Sequence, residues 1–286
     1  MTERRENAIL AAPLVLFLLA ILGFPTILSL VYGLSETRFE TLSQPQFRGL
    51  GNFRDVLADP TFWQAAWFSL RFGVVTAVLQ CVLGLALAVY LAPLVRRHGW
   101  TLAVLIIPMI VAPAMMGLMY RLVLHEFVGP LPHYLHLWFG RSPAFLSPAN
   151  VFSTVVMAET LQWTPFAFLL FLTAYQSIPE DLREAAAVDG ARPWRRFLKI
   201  ELPLMLPTVW VALFVRFIDG FRVFDNIYTL VGAGPGGATT SMSIYIYESF
   251  LRRGEIGKAM AAAILLFLTA FLALALAQRA LRRPAR

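Results

Sequence analysis

An all-α membrane protein with six transmembrane helices is the fold this sequence predicts, on three observations. Of its 286 residues, 58% are hydrophobic and only 14% are charged, against about 25% charged in an average soluble domain. A soluble chain of this length could hide a large core, but it would still need a charged surface to cover it. The residues for such a surface are missing, and an aromatic share of 13% adds to the apolar excess. Six apolar runs, each near the roughly 20 residues that cross a bilayer, follow one another along the chain.

The first run covers 8–34. It is too long for a signal peptide and shows no small-residue cleavage pattern, so a true span is expected. Before the second run, 66–92, Asp59 is a helix N-cap followed by Pro60 at the first helical position, and a helix should start there. Cys81 lies inside this run as the single cysteine, which excludes an intrachain disulfide and any Cys-based metal site. The third run is 100–124. A short interfacial helix over 131–138 follows, carrying His133, Tyr134, His136 and Trp138. The two histidines stand one turn apart, with His125 and Glu126 nearby, so a metal site is conceivable. An aromatic belt at the headgroups is the plainer reading. Runs four to six are 151–175, 202–221 and 259–276.

Orientation follows from the basic residues. A net charge of +7 and a pI near 10.0 would suggest nucleic acid in a soluble protein. In a membrane protein the same excess collects in cytoplasmic loops. With the N-terminus inside, the inner segments hold 13 Lys and Arg and the outer ones at most nine. Both termini are therefore expected to be cytoplasmic, with a short N-terminal segment over 1–7, a membrane domain over 8–280 and a basic tail over 281–286.

The inner segment over 177–203 is more than a connector. Ser177-Ile178-Pro179-Glu180-Asp181 has the proline and acids of a helix start. That helix should run about eleven residues to a stop at Gly190, with Leu182, Ala185, Ala186 and Asp189 on one side. A second short helix is expected from Arg192 to Ile200, before Leu202-Pro203 opens the fifth span. Small alanines on an exposed helix let another protein's groove approach; the alternative is an amphipathic hairpin lying on lipid headgroups.

Glu184-Ala185-Ala186-Ala187-Val188-Asp189-Gly190, followed by Ile200-Glu201-Leu202-Pro203, resembles the "EAA…G…I.LP" loop of ABC importer permeases. Phe47-Arg48-Gly49-Leu50-Gly51-Asn52-Phe53 resembles the first outer loop of that family's carbohydrate branch, and Gln162-Trp163-Thr164-Pro165-Phe166 its fourth span. Phe221-Arg222-Val223-Phe224-Asp225-Asn226-Ile227-Tyr228 with Gly232-Ala233-Gly234-Pro235-Gly236 resembles the end of its fifth span and the loop beyond. The resemblance runs through nearly the whole chain in the expected order. It implies a type I importer permease fold, and a sugar or related polyol as cargo. It also implies that Glu184, Ala185, Ala186, Asp189, Gly190 and Pro203 couple the chain to an ATP-binding subunit. Gly234, Pro235 and Gly236 would then face an extracytoplasmic sugar-binding protein. The implied partners are a second homologous permease and a dimer of ATP-binding subunits, in a bacterial or archaeal cytoplasmic membrane, with no nucleic acid.

The chain itself is expected to bind no cofactor and not to be an enzyme. Gly232 and Gly237 have the spacing of a phosphate loop, but Ala238-Thr239 stand where the phosphate-contacting lysine is needed. ATP and Mg2+ are left, by resemblance, to the partner subunits.

Charges within spans cost roughly 2.5 to 3.5 kcal/mol each on insertion scales and so require a reason. Arg71 and Glu159 lie in the second and fourth runs, and Arg216, Asp219, Arg222 and Asp225 alternate in sign on the fifth. They either neutralise one another at i, i+3 or line a watery cavity. Aligned to the family, the cargo-facing side of the fifth span includes Arg216, Gly220 and Val223. Family members often carry Ser or Asn there, and Arg216 departs from that. Gln162 and Trp163 suit a sugar better: an indole stacks on a pyranose face and an amide bonds its hydroxyls. A Trp packed against a partner subunit is the competing reading. A proton-coupled secondary transporter using Glu159 would predict inverted repeats and broken helices, and neither is visible in the sequence. An intramembrane enzyme needs a nucleophile and base at depth, yet all four histidines map outside the spans.

Overall fold

The computed structural model describes residues 3–281, with side chains over 10–275. The side chains of the segments expected at 1–7 and 281–286 lie outside the described residues. In chain order the helices are α1 (Glu3–Leu18), α2 (Phe24–Gly33), α3 (Gly51–Ala58), α4 (Pro60–Arg97), α5 (Trp100–Ile110), α6 (Pro113–Val123) and α7 (Pro130–Phe139). They continue as α8 (Val151–Gln176), α9 (Glu180–Val188), α10 (Pro193–Arg196), α11 (Leu202–Phe221), α12 (Asp225–Val231), α13 (Met242–Tyr247) and α14 (Ile256–Leu281). Two short strands, β1 (Ser35–Glu36) and β2 (Gln46–Phe47), pair antiparallel between α2 and α3. Among the described residues five helices are long and apolar enough to cross a membrane, or six if the bent pair α5 and α6 is one span.

That pair corrects the sequence expectation of an unbroken third span. The helices meet at 86°, with Val111 and Ala112 extended between them (ψ 132° and 136°). Pro113 opens α6, and a proline pushes the residue before it out of the helical region. The fifth span needs a second correction. No break separates a loop helix from it: α10, a π-helical turn over Phe197–Glu201 and α11 run on continuously, and Pro203 sits in the first turn of α11. The wide turn lies four residues before the proline, where a regular helix would set a carbonyl against the ring. The first span uses the same device, with a π-turn over Leu19–Gly23 ahead of Pro25.

The chain divides into two compact units. The first comprises residues 1–63 and 243–286, in which α14 packs on α2 and α3. Asn52 pins its turn, donating from Nδ2 to the carbonyls of Gly33 (3.0 Å) and Ser35 (2.8 Å). Asp59 caps α4 as expected, accepting the Thr61 N–H at 2.9 Å. It also receives the Tyr245 hydroxyl (2.8 Å) and the Lys258 ammonium (2.9 Å). Burial opposes its charge, but these three donors outweigh burial and hold the carboxyl well below the ordinary carboxylate range.

The second unit, residues 64–242, is built on the contact of α4 with α8. Cys81, Ala88 and Ala92 of α4 meet Ala167, Phe168, Phe171 and Leu172 of α8, and Met205 and Ala212 of α11 join them. Small residues let the helices approach closely, as membrane helices without a hydrophobic drive must. A Cβ on Gly84 would lie 2.8 Å from both Ala167 Cβ and the Phe168 backbone nitrogen.

Candidate functional site

The loop with the alanine motif forms α9, which ends two residues earlier than the expected stop. Glu180 and Asp181 occupy its first turn, where carboxylates favour the exposed N–H groups and the dipole. At its other end Gly190 takes φ +72°, a conformation that glycine adopts without steric penalty. The Gly190 and Ala191 N–H groups then close the helix onto the carbonyls of Ala187 (3.0 Å) and Ala186 (2.9 Å). Glu184, Ala185, Asp189 and Gly190 are exposed, as is Pro203 on α11. Val188 is 87% exposed. Ala186 departs from the expected outward face: it is buried, the one buried residue of α9. Beside the helix lies a cavity of about 400 Å3 whose lining includes Arg96, Glu180, Arg183 and Arg196.

Within the apolar spans, two polar residues one turn apart on α8 hold neighbouring segments. Gln162 is buried and donates from Nε2 to the carbonyl of Val111 at 3.0 Å, at the break between α5 and α6. Glu159 is buried and accepts a hydrogen bond from Asn226 Nδ2 in the first turn of α12. Gln80 of α4 donates to the Glu159 carbonyl at 3.2 Å. Non-helical backbone is tolerated at membrane depth only where its polar groups find partners, and Gln162 supplies one for Val111.

The expected cargo face is therefore only partly open in this chain. Gly220 packs on α4, where a Cβ would meet Thr76 Oγ1 at 2.9 Å and Gly73 Cα at 3.0 Å. Val223 is buried, its carbonyl accepting the Ser241 hydroxyl at 2.6 Å. Arg216 is buried too: it pairs with Asp219, and its guanidinium lies 4.6 Å from the Trp163 ring centre and 4.8 Å from that of Phe166. Cation–π contact of this kind helps to compensate a desolvated guanidinium. Trp163 and Asp219 keep exposed surface.

The charges follow the same logic of local neutralisation, with one correction. Arg222 and Asp225 do not lie on the fifth span, since α11 ends at Phe221 and Asp225 opens α12. Arg222 stands 3.7 Å from Asp219. Arg71 lies 3.8 Å above the Phe152 ring. The glycine-proline loop forms a tight turn, with Gly234 at φ +76° and Gly236 at φ +62°, and it presents Pro235 and Gly236 outward. The short helix expected over 131–138 is present as α7, its Tyr134 and Trp138 rings 5.7 Å apart. Among the described residues no three His, Cys, Asp or Glu gather as a metal site.

Sequence reasoning missed Asn226, Gln80 and Glu201. The first and last stand inside the motif strings, and all three carried one available signal: a polar side chain at membrane depth or a helix junction needs a buried partner.

Residues 7–286 match the family described as binding-protein-dependent transport system inner membrane component. The chain is 37% identical over 228 residues to the trehalose/maltose transport system permease protein MalF of Thermococcus litoralis, covering 79% of this chain and 77% of that protein. It is 33% identical over 267 residues to the trehalose transport system permease protein SugA of Mycobacterium tuberculosis, covering 93% and 85%. Among solved structures it resembles a chain of a bacterial ABC transporter involved in the import of the acidic polysaccharide alginate. The TM-score is 0.84 at 23% identity, over 99% of this chain and 98% of that one, a likeness of fold.

Proposed function

This chain belongs to the binding-protein-dependent transport system inner membrane components, the permeases of ABC importers, and we propose that it forms half of a membrane pathway for a sugar. The observation that carries the proposal is the family match over almost the whole length. The sugar class rests on the trehalose and maltose permeases among its relatives. No comparison supports the proton-coupled alternative.

On this reading the membrane-spanning helices supply the path while ATP is hydrolysed by two separate subunits, with a second, similar permease completing the pathway. A binding protein delivers the sugar to the outer face, where the turn at Gly234, Pro235 and Gly236 receives it. The exposed side of α9, with Glu184, Ala185, Asp189 and Gly190, seats in the ATP-binding subunit. ATP drives the cycle only if its two states bind the inward- and outward-facing forms differently. Of the cargo candidates, Trp163 and Asp219 offer surface to the sugar, while Arg216 braces them from behind. Gln162, Gly220 and Val223 shape the path through packing. Both termini lie in the cytoplasm, and external readings from reporter fusions at Val95 and Gly190 would reverse that orientation.

The test is ATP-dependent uptake of labelled trehalose and maltose by the reconstituted complex. Trp163→Ala should lower uptake about tenfold, as expected when roughly 1.4 kcal/mol of stacking contact is lost. ATPase stimulation by loaded binding protein should survive, because α9 is untouched. Unchanged uptake would remove Trp163 from the path, and loss of assembly would move it to the subunit interface.

A further inference from the structure

Glu201 closes the π-turn that leads into α11, and its carboxylate is 1% exposed. Two arginines from different parts of the cytoplasmic loop converge on one of its oxygens. Arg183 of α9 places Nε 3.1 Å from Oε1, and Arg196 of α10 places Nε 3.3 Å from the same atom. Arg183 reaches further, donating from an Nη to the Tyr175 carbonyl at 2.8 Å, with its guanidinium 4.3 Å over the Tyr175 ring. Tyr175 is the penultimate residue of α8. One buried carboxylate and two arginines thus join the ends of α8, α9, α10 and α11.

Stability alone does not account for this cluster. Burying a carboxylate costs several kcal/mol in desolvation, and apolar replacements of buried ion clusters are often neutral or stabilising. What such a cluster supplies is placement: both guanidinium Nε atoms approach Oε1 as ion pairs, and pulling either arginine away leaves a buried carboxylate short of its counter-charge, a cost that a lost aliphatic contact does not carry. Placement is what α9 otherwise lacks. It buries only Ala186, and its remaining ion pair, Glu180 with Arg96 at 3.9 Å, is between side chains each 62% exposed, a kind that contributes little.

We propose that Glu201 is a positioning residue, the joint that makes α9 move as one body with α8 and α11 when the ATP-binding subunits close. This rests on the coupling role assigned to α9. The joint predicts that weakening it uncouples hydrolysis from transport and leaves docking intact.

The experiment uses the complete reconstituted complex, with labelled trehalose as the probe, and reads copurification, ATPase rate and sugar carried per ATP. Glu201→Gln should keep copurification and ATPase near wild type, and lower sugar per ATP about tenfold, a typical size for coupling between sites. Glu201→Asp, which retains the charge, should recover most of that loss. The triple variant Arg183→Met, Arg196→Met, Glu201→Leu replaces the ions by apolar bulk and should assemble yet stay uncoupled. Unchanged sugar per ATP in Glu201→Gln overturns the proposal, as does restored coupling in the apolar triple variant, which would assign the junction to packing. Loss of copurification in Glu201→Gln also overturns it, making Glu201 a docking support. Failure of the underlying coupling reading looks different: the wild-type chain itself would not copurify with an ATP-binding subunit.

Discussion

Replacing Gly190 by Asp should abolish uptake and weaken association with the proposed ATP-binding subunit. The strain within the chain is modest. A residue with a β-carbon at φ +72° costs about 1 to 2 kcal/mol, less for Asp and Asn, which tolerate this region. Among the described residues, apart from its own chain neighbours, no atom lies within 4 Å of a Cβ placed there, so the substitution meets no internal clash. The open space is where the proposed partner comes close, and an added carboxylate fills it with charge. Gly190→Asn, similar in shape and uncharged, should retain part of the association. Copurification and uptake of the two variants measured side by side check this. Wild-type uptake by Gly190→Asp would exclude close approach at the end of α9.

Gly84→Leu should prevent the second unit from forming. Its Cβ would press on the Ala167 side chain and on the backbone of Ala167 and Phe168 at 2.8 to 3.0 Å, and helix backbone cannot rotate aside as a side chain can. Overpacking in a tight core typically costs about 1 to 3 kcal/mol and occasionally more. Four added carbons against backbone belong at the upper end. Little folded protein should reach the membrane, seen as loss of the monodisperse peak in detergent chromatography. A normal peak with unchanged thermal stability would show that α4 and α8 separate freely at this point.

Lipid makes the spans legible, since every helix that crosses it must be apolar along its length, and the run at 151–175 lies within α8, Val151–Gln176. The same uniformity hid the break at Val111. Both halves of that span are apolar enough for hydropathy to see one run, and only Pro113 marked the bend. The helix end at Gly190 could be read because glycine there has a local cause. The partner of Gln162 was hidden for the opposite reason. Its amide suits a sugar, but whether it faces a cavity or the carbonyl of Val111 depends on where a distant segment returns. Arg216 was recognised as needing a partner, and its neighbour Asp219 was in view, yet the aromatic faces of Trp163 and Phe166 depend on how α8 packs on α11. Glu201 was read as one letter of a motif, while its arginines come from positions 5 and 18 residues earlier.

The central claim, that α9 seats in an ATP-binding subunit on the cytoplasmic side, is tested most directly by cross-linking from Val188→Cys. The side chain is 87% exposed, and Cys81, the one native cysteine, is buried. In membranes carrying all the subunits, a short bifunctional thiol reagent should join this position to the ATP-binding subunit, with a yield that changes when ATP is added. A cysteine at Tyr134, exposed on α7, should give no such product. Labelling of Val188→Cys in intact cells by a membrane-impermeant thiol reagent, with no cross-link to the ATP-binding subunit, would contradict the claim.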